Sequence, residues 1–90
     1  MKTEDYVIIV VCVTVEQNKV EITYANNTPE PGISIKVIDS DRKPVKSFDH
    51  LAQADKGIVS FDAAGLPPGT YHCDITLDNE VKDSRSFAIG

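Results

Sequence analysis

The residues of this 90-residue chain with the widest chemical repertoire are two histidines, two cysteines and a scatter of carboxylates. A nucleophilic site needs a Ser or Cys within hydrogen-bond reach of a base, and a third group to orient that base. Ser47, Asp49 and His50 offer the right types in a short stretch. In an extended segment, however, Ser47 and Asp49 share a face and His50 projects from the other, so the three do not converge. His72 and Cys73 fail for the same reason, because neighbours on a regular strand point apart. These side chains read as solvated loop or edge positions. No catalytic residue is assigned.

Metal and ligand chemistry fare no better. Asp39 and Asp41 flank a turn, and clustered oxygens suit calcium, but an EF-hand-type loop also needs a Gly and a distant Glu at fixed spacing. Asp39-Ser40-Asp41-Arg42-Lys43-Pro44 reads instead as a turn in which Asp and Ser bond back to nearby amides. Two Cys and two His without paired spacing make no zinc site. No metal and no cofactor is assigned. Asn26-Asn27-Thr28 fits a glycosylation acceptor in an exposed loop. A glycan platform is built from exposed aromatic rings, which offer an apolar face with a polar tip. Of Tyr6, Tyr24, Phe48, Phe61, Tyr71 and Phe87, only Tyr6 and Phe48 fall off the apolar faces. A net charge of −5 and a pI near 4.8 argue against a surface that tracks nucleic-acid phosphates.

The elements that carry these residues are strands. Val and Ile supply 19 residues against ten for Leu, Met and Ala together, and branched side chains favour a pleated surface over a helix. Tyr6 to Glu16 reads as a long first strand, and Gln17-Asn18 as the turn into Lys19 to Tyr24, with Val20, Ile22 and Tyr24 inward. Ile33 to Val37 follows a loop rich in turn formers. Val45 to His50 is a weaker edge strand, and Leu51 to Lys56 lacks strand character. Gly57 to Asp62 buries Val59 and Phe61. Leu66-Pro67-Pro68-Gly69 feeds Thr70 to Leu77, and Asp78-Asn79 makes a tight hairpin into Val81 to Ile89. Seven strands at this spacing predict one all-β domain over residues 1–90, an immunoglobulin-like sandwich of antiparallel strands in two sheets.

Within that fold Tyr71 occupies the place of a tyrosine corner, whose hydroxyl bonds to backbone a few residues upstream. An antibody-type disulfide is not expected, since the second strand holds no Cys and the chain no Trp. Strand parity puts Cys12 with the solvent-facing Thr14 and Glu16, and Cys73 with the core-facing Ile75 and Leu77, so two free thiols are expected.

Tyr6 to Val15 is apolar except for Thr14, a run of ten residues or about half a membrane span. The preceding Met1-Lys2-Thr3-Glu4-Asp5 is net acidic, so the run reads as neither a transmembrane helix nor an intact signal peptide. As an N-terminal edge strand it would turn Val7, Ile9, Val11, Val13 and Val15 to the core. Tyr6, Ile8 and Val10 would then form an apolar patch on the opposite face, the first half of the strand projecting beyond its hairpin partner. Such an edge invites a second copy or a protein partner. Tyr6, Ile8 and Val10 are the candidate interface.

From Asn18 onward the order of signals is Asn18-Lys19-Val20-Glu21-Ile22, Ile33-Ser34-Ile35-Lys36-Val37-Ile38-Asp39, Asp41-Arg42-Lys43-Pro44-Val45, Val59-Ser60-Phe61 and Leu66-Pro67-Pro68-Gly69-Thr70-Tyr71. This resembles a family of small, secreted immunoglobulin-like domains of unknown function from gut-dwelling Gram-negative bacteria. The C-terminal sorting domains of type IX secretion cargo share much of the pattern. Those domains tend to end in a short basic segment, whereas this chain ends Ser86-Phe87-Ala88-Ile89-Gly90, so the stand-alone family is the better match. The resemblance implies a seven-stranded sandwich, a secreted, periplasmic or cell-surface location and no catalysis. The function expected is thus a non-catalytic exported interaction module that binds protein or itself through the first strand. The alternative is a glycan-binding accessory domain.

Overall fold

A computed structural model describes residues 7–29 and 32–90. Those residues form seven strands and no helix: β1 (Ile8–Glu16), β2 (Lys19–Asn26), β3 (Ile33–Ile38), β4 (Pro44–Phe48), β5 (Ala54–Asp62), β6 (Gly69–Leu77) and β7 (Glu80–Ile89). Every pairing is antiparallel. One sheet has three strands in the order β1-β2-β5, the other four in the order β4-β3-β6-β7. Relative to the four-plus-three arrangement of constant immunoglobulin domains, the fourth strand has moved to the sheet of the third. The described residues contain no helix long and apolar enough to cross a membrane.

Alternation dictates the core. Val20, Ile22 and Tyr24 from β2, Ile33, Ile35 and Val37 from β3, and Tyr71, Cys73 and Ile75 from β6 are all buried, facing each other between the sheets. Burying one such aliphatic side chain fully is worth about 1.5–3 kcal/mol, so these positions dominate stability. Val59 and Phe61 of β5 pack on the same core, half-buried.

Turn chemistry fixes the register. Asp78 and Asn79 take φ of 52° and 70°, the left-handed pair that a two-residue type I′ hairpin needs and that Asp and Asn tolerate best. Tyr71 Oη donates to the Pro67 carbonyl at 2.6 Å, the tyrosine corner, and its ring stacks on Phe87 with centroids 5.9 Å apart. Between β3 and β4, the Asp39 Oδ1 accepts from the amides of Asp41 and Lys43, both at 2.9 Å. Asp39 is thereby a turn former.

Three expectations are corrected. β5 begins at Ala54, inside the stretch read as lacking strand character, because Ala54 pairs with Asn26 across an irregularity that follows Tyr24. β1 does not project beyond its partner: Ile8 pairs with Asn26, and the Asn27 amide donates to Val7 O at 3.0 Å. Asn26 is not an exposed acceptor for glycosylation. It is 1% exposed, with its Oδ1 held by the Thr28 amide and its Nδ2 reaching Ala52 O.

Candidate functional site

The parity of β1 reverses in mid-strand. Val10 pairs with Tyr24 and Cys12 with Thr23, which leaves Val11 as the extra residue of a β-bulge. An extra residue shifts the side-chain alternation by one. Before the bulge Ile8 and Val10 point inward, 8% and 1% exposed; after it Val13 packs against the core and Thr14 points out. Ile8 and Val10 are therefore core residues, and the candidate interface built on them is corrected. Tyr6 lies outside the described residues. The exposed side chains of the early strand are Val7, Ile9 and Val11, each above 40%.

These three belong to the outer face of the three-stranded sheet. Along that face Cys12 pairs with Thr23 and Thr23 with Ile58, while Ile9 pairs with Ala25. Ile58 is 56% exposed. The other end of the face is polar, with Thr14 opposite Glu21 opposite Ser60, then Glu16 opposite Lys19 opposite Asp62. Lys19 Nζ and Glu21 Oε2 lie 3.6 Å apart there, both largely solvated. The face is thus divided into an apolar half and a charged half.

The free edge of β1 is closed by side chains rather than by a strand. Val10 N–H donates to Asp83 Oδ2 at 2.9 Å, and Arg85 Nη2 donates to Val10 O at 3.0 Å. Asp83 and Arg85 sit on β7, opposite Ile75 and Cys73, on the parity of the buried Phe87. Their acceptor and donor imitate the two bonds that a neighbouring strand residue would exchange with Val10. Sequence reading missed this pair. Its signal was present: two charges on the core-facing parity of a terminal strand, a known device for protecting sheet edges.

The polar groups considered for chemistry do not converge. Ser47 Oγ donates to Asp49 Oδ1 at 3.1 Å, but His50 takes φ of 57° beyond the strand and bonds to neither. His72 faces outward on the four-stranded sheet, in a shallow groove with Arg42, Asp74 and Ser84, while Cys73 is buried in the core. In that groove the Asp74 carboxylate is already held by Ser84 Oγ at 2.6 Å. Burial, with a smaller contribution from the Asp74 carboxylate, pushes the Cys73 thiol up to about 12, so it stays protonated and unreactive. Cys12 is exposed on the other sheet. Among the described residues no three His, Cys, Asp or Glu side chains cluster as metal ligands would.

The aromatic rings likewise turn inward. Tyr24, Tyr71 and Phe87 are core residues. Phe48, expected to be available for a sugar, is half-buried against the core and tilted on Phe61 at 6.3 Å, with Lys46 Nζ 5.7 Å above its ring.

No protein-family model and no curated protein sequence matches the chain. Solved structures do match. The β-glucosidase of Kluyveromyces marxianus in complex with glucose superposes on 96% of this chain with a TM-score of 0.60 at 11% identity. A selenomethionine form of that enzyme gives 0.57 at 13%. The β-glucuronidase of Ruminococcus gnavus overlays more loosely, at 0.41 and 19% identity. At these identities the likeness shows the fold alone. This chain spans only 14% of the length of each of these enzymes.

Proposed function

We propose that this chain is a non-catalytic accessory module that acts by protein contact. The observation that carries the reading is the outer face of the three-stranded sheet. Val7, Ile9, Val11 and Ile58 stand exposed there, although the fold has a filled core and no need of them inside. Contiguous exposed apolar surface of this kind is characteristic of interfaces. The absence of convergent nucleophile, base and orienting group among the described residues supports a non-catalytic role. So does a fold that matches a small share of much larger enzymes.

A photocrosslinking amino acid at Ile9 tests the reading in the producing cell. Protein adducts that Val11→Lys suppresses support it; a bare chain with no adduct overturns it. An esterase, glycosidase and peptidase panel stays at background.

The likeness to part of a glucose-bound β-glucosidase favours a second reading, a glycan-binding accessory domain. The inward rings weigh against it, since the described aromatics offer no flat exposed platform. A glycan array with a denatured control separates the two. Location outside the cytoplasm belongs to the proposal, on the strength of the resemblance in strand and turn order, and cell fractionation tests it.

A further inference from the structure

The sandwich has four sheet edges, and three are protected. β1 is capped at Val10 by Asp83 and Arg85, and β7 lies alongside it on the same side of the sandwich. β4 is only five residues long and starts at Pro44, features that blunt an edge. β5 is different. It runs nine residues, Ala54–Asp62, with a bulge at Asp55-Lys56 near its start and regular pairing from Gly57 to Asp62, and among the described residues its outer backbone edge bonds to nothing.

From this edge we infer that two copies of the chain pair through β5, antiparallel about a two-fold axis at Val59, joining their three-stranded sheets into one. A strand that meets its own copy across an axis normal to the sheet sets each residue opposite one of equal parity, so the axis must pass through a residue. With the axis at Val59, Lys56 falls opposite Asp62 and Ile58 opposite Ser60, on the outer face. Both charged residues are exposed, and neither has an ion-pair partner within the described chain. Directly opposed unlike charges stabilise a ladder, whereas like charges oppose it. Moving the axis to Ser60 sets Asp62 against Ile58, and moving it to Ile58 sets Lys56 against Ser60. Only the Val59 register sets Lys56 against Asp62; Asp55, exposed beside Lys56 at the bulge, keeps its charge in solvent. It also gives cross-strand neighbours to Ile58, the most exposed of the described large apolar side chains.

This inference names a second copy as a partner within the interaction-module reading, and it rests on a separate edge. Val11→Lys disturbs the outer-face contact and leaves β5 pairing intact, so the two fail separately. Sedimentation in low salt from about 10 μM to 1 mM reads the pairing. The parent approaches twice the single-chain mass, and added salt weakens the association. Lys56→Asp and Asp62→Lys each weaken it at least about tenfold. Mixing the two variants restores it, because each contact then again joins opposite charges. Circular dichroism confirms that the variants fold; Asp62 Oδ1 accepts from the Ala64 amide at 2.8 Å, so Asp62→Lys is the one at risk. Should it not fold, Ile58→Cys mixed with Ser60→Cys in a Cys12→Ser background reads the register by a short thiol crosslinker. A crosslinked heterodimer supports the Val59 axis. A parent that stays monomeric at the top concentration, pairing indifferent to charge reversal, or no crosslink between the cysteine variants overturns it.

Discussion

Where β1 meets β7, the backbone of Val10 ends on the Asp83 carboxylate and the Arg85 guanidinium; along the outer edge of β5, the backbone of a nine-residue strand ends on nothing within the described chain. The two sides share one core and one strand chemistry. They differ in whether charged side chains fold back onto the edge or stay in solvent. At Asp83 and Arg85 the charges have core-facing parity and spend their hydrogen bonds on the chain itself. Lys56 and Asp62 have outward parity and spend none on the neighbouring strand. One side is therefore sealed against strand addition, and the other is left competent for it.

The largest effect is expected on the sealed side. Val10 is 1% exposed on the strand that Asp83 and Arg85 hold. Val10→Lys forces an unpaired charge into the core and costs about 4 kcal/mol or more, enough to unfold a domain of this size. Denaturant melts check it, and a variant as stable as the parent would break the inward assignment of the early strand.

Second is Gly57 on the open side. A Cβ built there would overlap the Tyr24 ring, which lies across the backbone of β5. Gly57→Ala must push the 5%-exposed Tyr24 out of place and is expected to cost about 1–3 kcal/mol. If the melt does not move, the ring is not what holds β5 against β2.

Third come the side chains that close the edge. Asp83→Ala or Arg85→Ala strips one partner from Val10, at a cost of about 0.5–2 kcal/mol. Native-state hydrogen exchange should show the Val10 amide losing protection in Asp83→Ala alone, because only its N–H faces that carboxylate. Unchanged exchange would mean that the backbone does not depend on the cap.

Alkaline pH offers a smaller handle. The Cys73 thiol is raised from an ordinary 9.0 to about 12, mainly by burial and then by Asp74. Between those values the native state keeps a proton that the unfolded chain releases, so stability is intact below pH 9.0 and declines as pH rises toward 12. Cys73→Ala should flatten part of that decline; an unaltered alkaline limb would exclude the thiol as a source.

Much of this was legible in the residues, and the remainder was hidden for one reason. Clean alternation in β2, β3 and β6 gave their inner faces without ambiguity, because Val20, Ile22 and Tyr24 are separated by Glu21 and Thr23. Tyr71 and the Asp78-Asn79 hairpin were readable from local chemistry alone. The first strand was not, since Val7 to Val13 is apolar on both parities and offers no polar residue to mark the outside. A bulge within such a run leaves no trace in composition, and parity counted back from Thr14 and Glu16 is right only as far as Cys12. The exposed face and the edge cap both lie beyond that point. Where the sequence did speak, at Asp83 and Arg85, the signal was charge on the wrong parity.

The smallest expected effect is the most specific test of that bulge. Val11 and Val10 are adjacent valines, and a regular strand would also send them to opposite faces, so burial of Val10 alone does not require a bulge. The bulge is what allows Val11 and its neighbour Cys12 both to be exposed, while Val10 and Val13 both touch the core. Four substitutions read the pattern: Val10→Lys, Val11→Lys, Cys12→Lys and Val13→Lys. Val11→Lys and Cys12→Lys are expected to fall within about 0.5 kcal/mol of the parent, as surface changes do, while Val13→Lys joins Val10→Lys in destabilising. A regular strand predicts strict alternation instead, with Cys12→Lys as damaging as Val10→Lys and Val13→Lys as mild as Val11→Lys. Two tolerant neighbours flanked by two intolerant ones is a pattern that alternation cannot produce, and it would fix the point at which the outer face of β1 changes parity.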